Sequence, residues 1–66
     1  MTEERLREAL RKNPDNAEVH AAYAAWLVQR ELYAQAAPHF ESALRLDPDN
    51  VPYCNNLGTT YLRLNQ

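Results

Sequence analysis

Ala9-Leu10-Arg11-Lys12-Asn13-Pro14-Asp15-Asn16 returns as Ala43-Leu44-Arg45-Leu46-Asp47-Pro48-Asp49-Asn50, with six of the eight residues identical. Pro48 lies 34 residues after Pro14. A fixed period of this size points to stacked repeats, in which each unit buries its apolar face only against its neighbours. Such an architecture favours protein binding over catalysis. Each copy also has a local mechanical reading. A proline pushes the residue before it out of the α region and so stops a helix. An asparagine two residues later offers its side-chain oxygen to an unpaired backbone N–H, which starts the next helix.

Working outward from these two stops, apolar residues recur at helical spacing and no stretch alternates like a strand. The spacing predicts an all-α fold of four antiparallel helices over about residues 2–12, 17–30, 34–46 and 51–64. The first carries Leu6, Ala9 and Leu10 on one face, with Glu3–Arg7 and Glu8–Lys12 as i,i+4 pairs in the better order, acid first. The second offers Val19 or His20, then Tyr23, Ala24 and Leu27. A turn at residues 31–33 leads to the third, which buries Ala36, Phe40, Ala43 and Leu44 and pairs Glu41 with Arg45. Pro38 falls in or just after its first turn, and bends the helix start unless its missing N–H is one of the unpaired ones. The fourth tolerates Pro52 in its first turn and carries Leu57, Gly58, Tyr61 and Leu64 as a stripe.

The bulk properties narrow the function. A chain of 66 residues has a marginal core and needs a staple or a partner. One cysteine excludes an internal disulfide, and no Cys/His set has zinc spacing. The net charge of −2, from seven basic and nine acidic residues interspersed, lacks the basic stripe of a nucleic-acid binder. The N-terminus is too charged for a secretory signal. The longest apolar run, residues 21–28, is far short of the ~20 residues that span a bilayer. A cytoplasmic chain with no nucleic-acid or membrane partner is the expectation, although excision from a longer protein would erase a targeting signal.

His20-x-x-Tyr23-Ala24-x-x-Leu27, then Ala36-x-x-x-Phe40, Ala43 and Pro48, resemble the tetratricopeptide repeat. Cys54-x-x-Leu57-Gly58-x-x-Tyr61 matches its first helix more closely, and Leu6, Ala9 and Pro14 fall at the spacings of Phe40, Ala43 and Pro48. The likeness covers the whole chain. It implies a helix–turn–helix solenoid in which the small residues Ala24, Ala36, Ala43 and Gly58 let helices approach, while the large ones fill the space between. His20 stands in place of a bulky residue, Trp26 where the family is small, and Glu31 at a turn position where glycine is common.

The phase of the resemblance divides the chain into a half repeat at residues 1–16, a complete unit at 17–50 and a second half repeat at 51–66, all within one structural domain. Both terminal helices then lack a neighbour. Leu6, Leu10, Leu57, Tyr61 and Leu64 are candidate self-association residues, through head-to-tail stacking into a superhelix or exchange of terminal helices in a homo-oligomer. Truncation of a longer solenoid is the plainer origin of the same open ends.

The resemblance further implies a concave groove for a peptide or partner helix. Its expected lining is Glu18, Ala21, Ala25, Val28 and Gln29, followed by Pro52, Asn55, Thr59, Leu62 and Arg63. Trp26 is a further candidate contact if exposed, since tryptophan dominates binding hot spots. Family members that clamp a chaperone C-terminus use Lys and Asn where this chain has Ala21 and Ala25, so that subtype is not expected. No enzyme is expected, because no nucleophile–base–orienter set or glycine-rich phosphate loop is present. No cofactor or metal is expected either: His20 and His39 sit on different helices without a third ligand, and Cys54 reads as a small inward hydrophobe. Asp47, Asp49 and Asn50 lack the glycine and glutamate of a calcium loop and read as a stop and a cap. A self-assembly element, or a regulatory segment of a larger enzyme, are the other functions the sequence admits.

Overall fold

The computed structural model describes residues 2–66; Met1, the first residue of the expected leading half repeat, lies outside them. Four helices run in order, α1 (Glu3–Lys12), α2 (Ala17–Gln29), α3 (Tyr33–Leu46) and α4 (Val51–Leu64). They form an all-α slab measuring 34 × 26 × 14 Å. Its principal contacts join chain neighbours: α2 with α3 most extensively, then α3 with α4, then α1 with α2. No described helix is long and apolar enough to cross a membrane.

The duplicated stretch folds into two closely matching loops. Asn13 N–H donates to the Ala9 carbonyl at 2.8 Å, and Asp47 N–H to that of Ala43 at 2.9 Å. Asn16 caps α2 by accepting from Val19 N–H at 3.2 Å, and Asn50 caps α4 by accepting from Tyr53 N–H at 3.1 Å. Asn50 Nδ2 also donates to Asp47 Oδ2 at 3.1 Å, so this acidic loop spends its side chains on its own turn. Thr2 caps α1 in the same manner.

The turn between α2 and α3 works differently, because α3 has no side-chain cap. Arg30 ends α2 and Glu31 takes the left-handed conformation, φ 60°. Leu32 N–H reaches back to the Leu27 carbonyl at 3.0 Å and Glu31 N–H to Val28 at 2.9 Å. This is a Schellman closure with glutamate where glycine is the unstrained choice. Helix α3 starts one residue earlier than its pattern suggests, so Pro38 is the sixth helical residue. Its missing N–H removes a true intrahelical bond, the one the exposed Ala34 carbonyl would accept.

Leu6, Tyr23, Ala24, Leu27, Ala36 and Phe40 form the core, with Leu10, Ala21, Trp26, Val28 and Leu57 packed around it. Alanines at 24, 36 and 43 have no exposed surface, which is what close helix approach requires. The spacing also missed members: Ala37 and Thr60 are buried. Thr60 satisfies its hydroxyl by donating to the Asn56 carbonyl at 2.8 Å, the local bond that lets a threonine sit inside a helix pair.

Several expectations are corrected. Leu6 is 3% exposed, sealed by α2, and is no open-end residue. Cys54 is exposed rather than an inward hydrophobe, because no element covers that face of α4. Gly58 meets nothing within 4 Å of an added Cβ, so its smallness serves no contact here. Leu44 is half-buried. Glu3–Arg7 pairs as expected at 3.0 Å, and Glu8 reaches both Lys12 and, more closely, Arg11. Glu41 instead accepts from Tyr61 Oη at 2.7 Å, so its bond crosses to α4 and the Arg45 pair is not made.

Candidate functional site

A cleft of about 310 Å3 opens between α2 and α4 above α3. Helix α2 supplies Ala25, Val28 and Gln29, spaced so that they share one face. Asn56, Thr59, Thr60 and Arg63 come from α4, and Tyr33 and Phe40 from α3 beneath. Phe40 and Thr60 make a buried floor, while Gln29, Thr59 and Arg63 stand exposed at the rim. Arg63 is the one charged group lining the cleft, and it makes no ion pair among the described residues. The surface therefore offers an apolar base, amide and hydroxyl groups that donate and accept, and one guanidinium fork suited to a carboxylate.

Of the groove residues expected from the repeat phase, Ala25, Val28, Gln29, Thr59 and Arg63 converge here. Ala21 is half-buried against the core instead. Asn55 is exposed off the cleft, its carbonyl taking the Thr59 hydroxyl at 3.0 Å. Leu62 is 67% exposed and Pro52 is also exposed, both outside the cleft. Glu18 lies on a separate, polar cavity of about 780 Å3 beside the two duplicated loops. Tyr33 and Asn56 line the cleft without having been anticipated. Asn56 falls one turn before Thr60, and Thr60's polar character concealed that this face of α4 borders the cleft, with Thr60 buried and Asn56 exposed.

Trp26 faces the other side of α2, beside Leu6, Ala22, Ala25 and Gln29. It is half-buried, and the Arg30 guanidinium carbon lies 3.6 Å from a ring centroid, in cation–π contact. Its ring is therefore already covered from one side. The remaining self-association candidates split by burial: Leu10 and Leu57 are half-buried at the core margin, whereas Tyr61 and Leu64 are about two-fifths exposed.

A second polar group connects the helices. Tyr23 Oη donates to Glu3 Oε2 at 3.0 Å and accepts from Arg7 Nε at 3.3 Å. Its ring centroid lies 4.8 Å from that of His39, and His39 Nδ1 lies 3.3 Å from His20 Nδ1. Burial, and then the charge of His20, hold His39 below its usual value and so favour the neutral imidazole.

Comparison with protein-family models, with curated proteins and with solved structures gives no match.

Proposed function

We propose that the chain is a non-enzymatic interaction module of the tetratricopeptide type, which takes a short peptide or one partner helix in the α2–α4 cleft. The reading rests on one observation above the others: five of the ten groove positions that the resemblance implies, Ala25, Val28, Gln29, Thr59 and Arg63, meet in a single cleft floored by Phe40 and Thr60. Its volume of about 310 Å3 lies at the lower end for ligand pockets. That suits one or two anchoring side chains of an otherwise surface-bound segment. The apolar base selects an aliphatic or aromatic anchor, and Arg63 selects an acidic group beside it. An exposed free thiol at Cys54 suits the reducing cytoplasm.

The test is selection from a displayed peptide library, followed by binding of the enriched peptides to Arg63→Glu, Val28→Glu and Leu62→Ser. The expected peptides pair an apolar residue with an acidic one. They lose affinity at least about tenfold with the first two variants, a change of ~1.4 kcal/mol, and keep it with the third. Equal binding to all three variants sinks the reading.

A second reading is self-assembly through α4. Val51, Tyr61, Leu62 and Leu64 are all exposed on that helix, and Gly58 leaves open space beside them. Light scattering across a concentration series separates the two, since a monomer at high concentration removes this alternative and leaves the cleft.

A further inference from the structure

His20 on α2 and His39 on α3 point their Nδ1 atoms at each other at 3.3 Å, with ring centroids 5.6 Å apart. His20 Nε2 lies 2.8 Å from the Pro14 carbonyl, which can only accept, so that nitrogen carries a hydrogen. Nδ1 of neutral His20 is then a lone pair, and His39 Nδ1–H donates to it. One hydrogen fits between the rings. Both ends of this contact reach α1. Pro14 belongs to the loop that joins α1 to α2. The His39 ring lies against that of Tyr23, centroids 4.8 Å apart, and the Tyr23 hydroxyl holds Glu3 and Arg7 of α1. Helix α1 has few other ties: its interface with α2 is the thinnest of the three, and Leu6 is its one buried side chain.

We propose that the His20–His39 contact is an acid-operated latch that fastens α1 to the α2–α3 hairpin, closed with at most one added proton and opened by a second. The proton count follows from the geometry. A first proton enters at His39 Nε2 while Nδ1–H goes on donating to His20, so the pair carries one positive charge and keeps its bond. The same state is reached if the proton settles on His20 Nδ1 and His39 holds its hydrogen at Nε2, since one hydrogen lies between the rings in either form. A second proton leaves no lone pair between them. Two N–H groups, each on a cation, then face each other at hydrogen-bond distance, and like charges so placed repel. The neighbours supply no relief. Neither imidazole has an ion pair among the described residues. Glu3 and Arg7 of α1 pair with one another at 3.0 Å and meet the hairpin at the Tyr23 hydroxyl. The charge that bears on His39 is that of His20, and it and burial both oppose the cation. Parting the rings costs His20 its Pro14 bond and takes the His39 ring from behind Tyr23. Acid therefore frees α1 and uncovers Leu6 and the α2 surface that seals it.

The experiment is a pH titration of the full chain, followed by imidazole NMR and by amide hydrogen exchange corrected for the intrinsic rate at each pH. The two histidines should bind protons in two linked steps at least about one pH unit apart. Replacing either should leave the other with a single ordinary step, and in His20→Gln the His39 midpoint rises toward about 6.5. A step displaced by one unit changes the opening equilibrium about tenfold. Protection of the α1 amides should therefore fall at least about tenfold across the second step, while Leu27 and Phe40 keep theirs. His20→Gln and His39→Gln should each remove this response. Glu3→Gln should retain it, which separates the histidines from protonation of the carboxylate. Independent titration of the two histidines in the wild-type chain overturns the proposal. So does α1 protection that is unchanged across the second step, or a response that Glu3→Gln abolishes. The wild-type titration decides without any variant, and circular dichroism at neutral pH checks that the variants fold.

Discussion

Helices α2 and α4 carry equivalent residues 34 positions apart, yet they live in different surroundings. Ala24 has no exposed surface, while Gly58 faces open space. Leu27 is 1% exposed and its counterpart Tyr61 is 41% exposed. At the next pair the order reverses, with Trp26 half-buried and Thr60 sealed. Helix α2 lies between α1 and α3, whereas α4 packs principally on α3. The lesson is that spacing assigns a residue to a face, and the neighbouring element decides whether that face is interior. A small residue in a sandwiched helix is a packing requirement, and the same residue in an edge helix is only a weak helix former.

This contrast can be broken most forcefully at the second matched pair. Leu27→Ala should destabilise by about 2–5 kcal/mol, while Tyr61→Ala should cost clearly less, the worth of one exposed hydrogen bond to Glu41. Equal losses would mean that α4 is covered in solution. Ala24→Leu, which forces volume into a closed contact, should cost about 1–3 kcal/mol. Gly58→Ala should stabilise by about 0.5–1 kcal/mol, since the added methyl meets nothing and alanine is the better helix former. A loss at Gly58→Ala would require a contact that the described residues do not supply.

The capping asparagines sharpen the comparison, because here the two regions should agree. Asn16→Ala and Asn50→Ala should each cost about 1 kcal/mol in denaturant unfolding, their bonds being alike at 3.2 and 3.1 Å. The smallest effect concerns pH. His39 is held below its ordinary value of about 6.5, so between that value and its folded one the unfolded chain binds more protons. Stability is then full above about pH 6.5 and declines as pH falls through the folded value. Urea melts should show this slope, and His39→Gln should flatten it.

These pairs also mark what could be read from residue order. The stops at Pro14 and Pro48 and the caps at Asn16 and Asn50 are local chemistry, complete within a few residues. Leu6, Tyr23, Ala24, Leu27, Ala36, Phe40 and Ala43 are interior by spacing on helices with close neighbours. Thr60 escaped because its hydroxyl finds a partner within its own helix, so a polar letter hid a core residue. Cys54 failed in the opposite sense, as an apolar letter on a face that nothing covers. Glu41 had two possible partners, and the choice of Tyr61 over Arg45 depends on how α4 lies against α3. The cleft divides in the same way. Val28 and Arg63 follow from repeat phase, whereas Asn55 and Leu62 miss it because the roll of α4 about its axis sets the exposed Asn56 on the cleft wall instead.

The slab is 14 Å thick and is built from contacts between consecutive helices. Its native contacts close short loops, so the entropic barrier to pairing is low and folding is expected to be fast for a chain of this length. Cooperativity then passes along the slab from one interface to the next rather than through a shared centre. Helix α1, held by the thinnest of the three interfaces, is expected to exchange its amide hydrogens first, and the α2–α3 hairpin to retain them longest, an order that native-state hydrogen exchange reads directly.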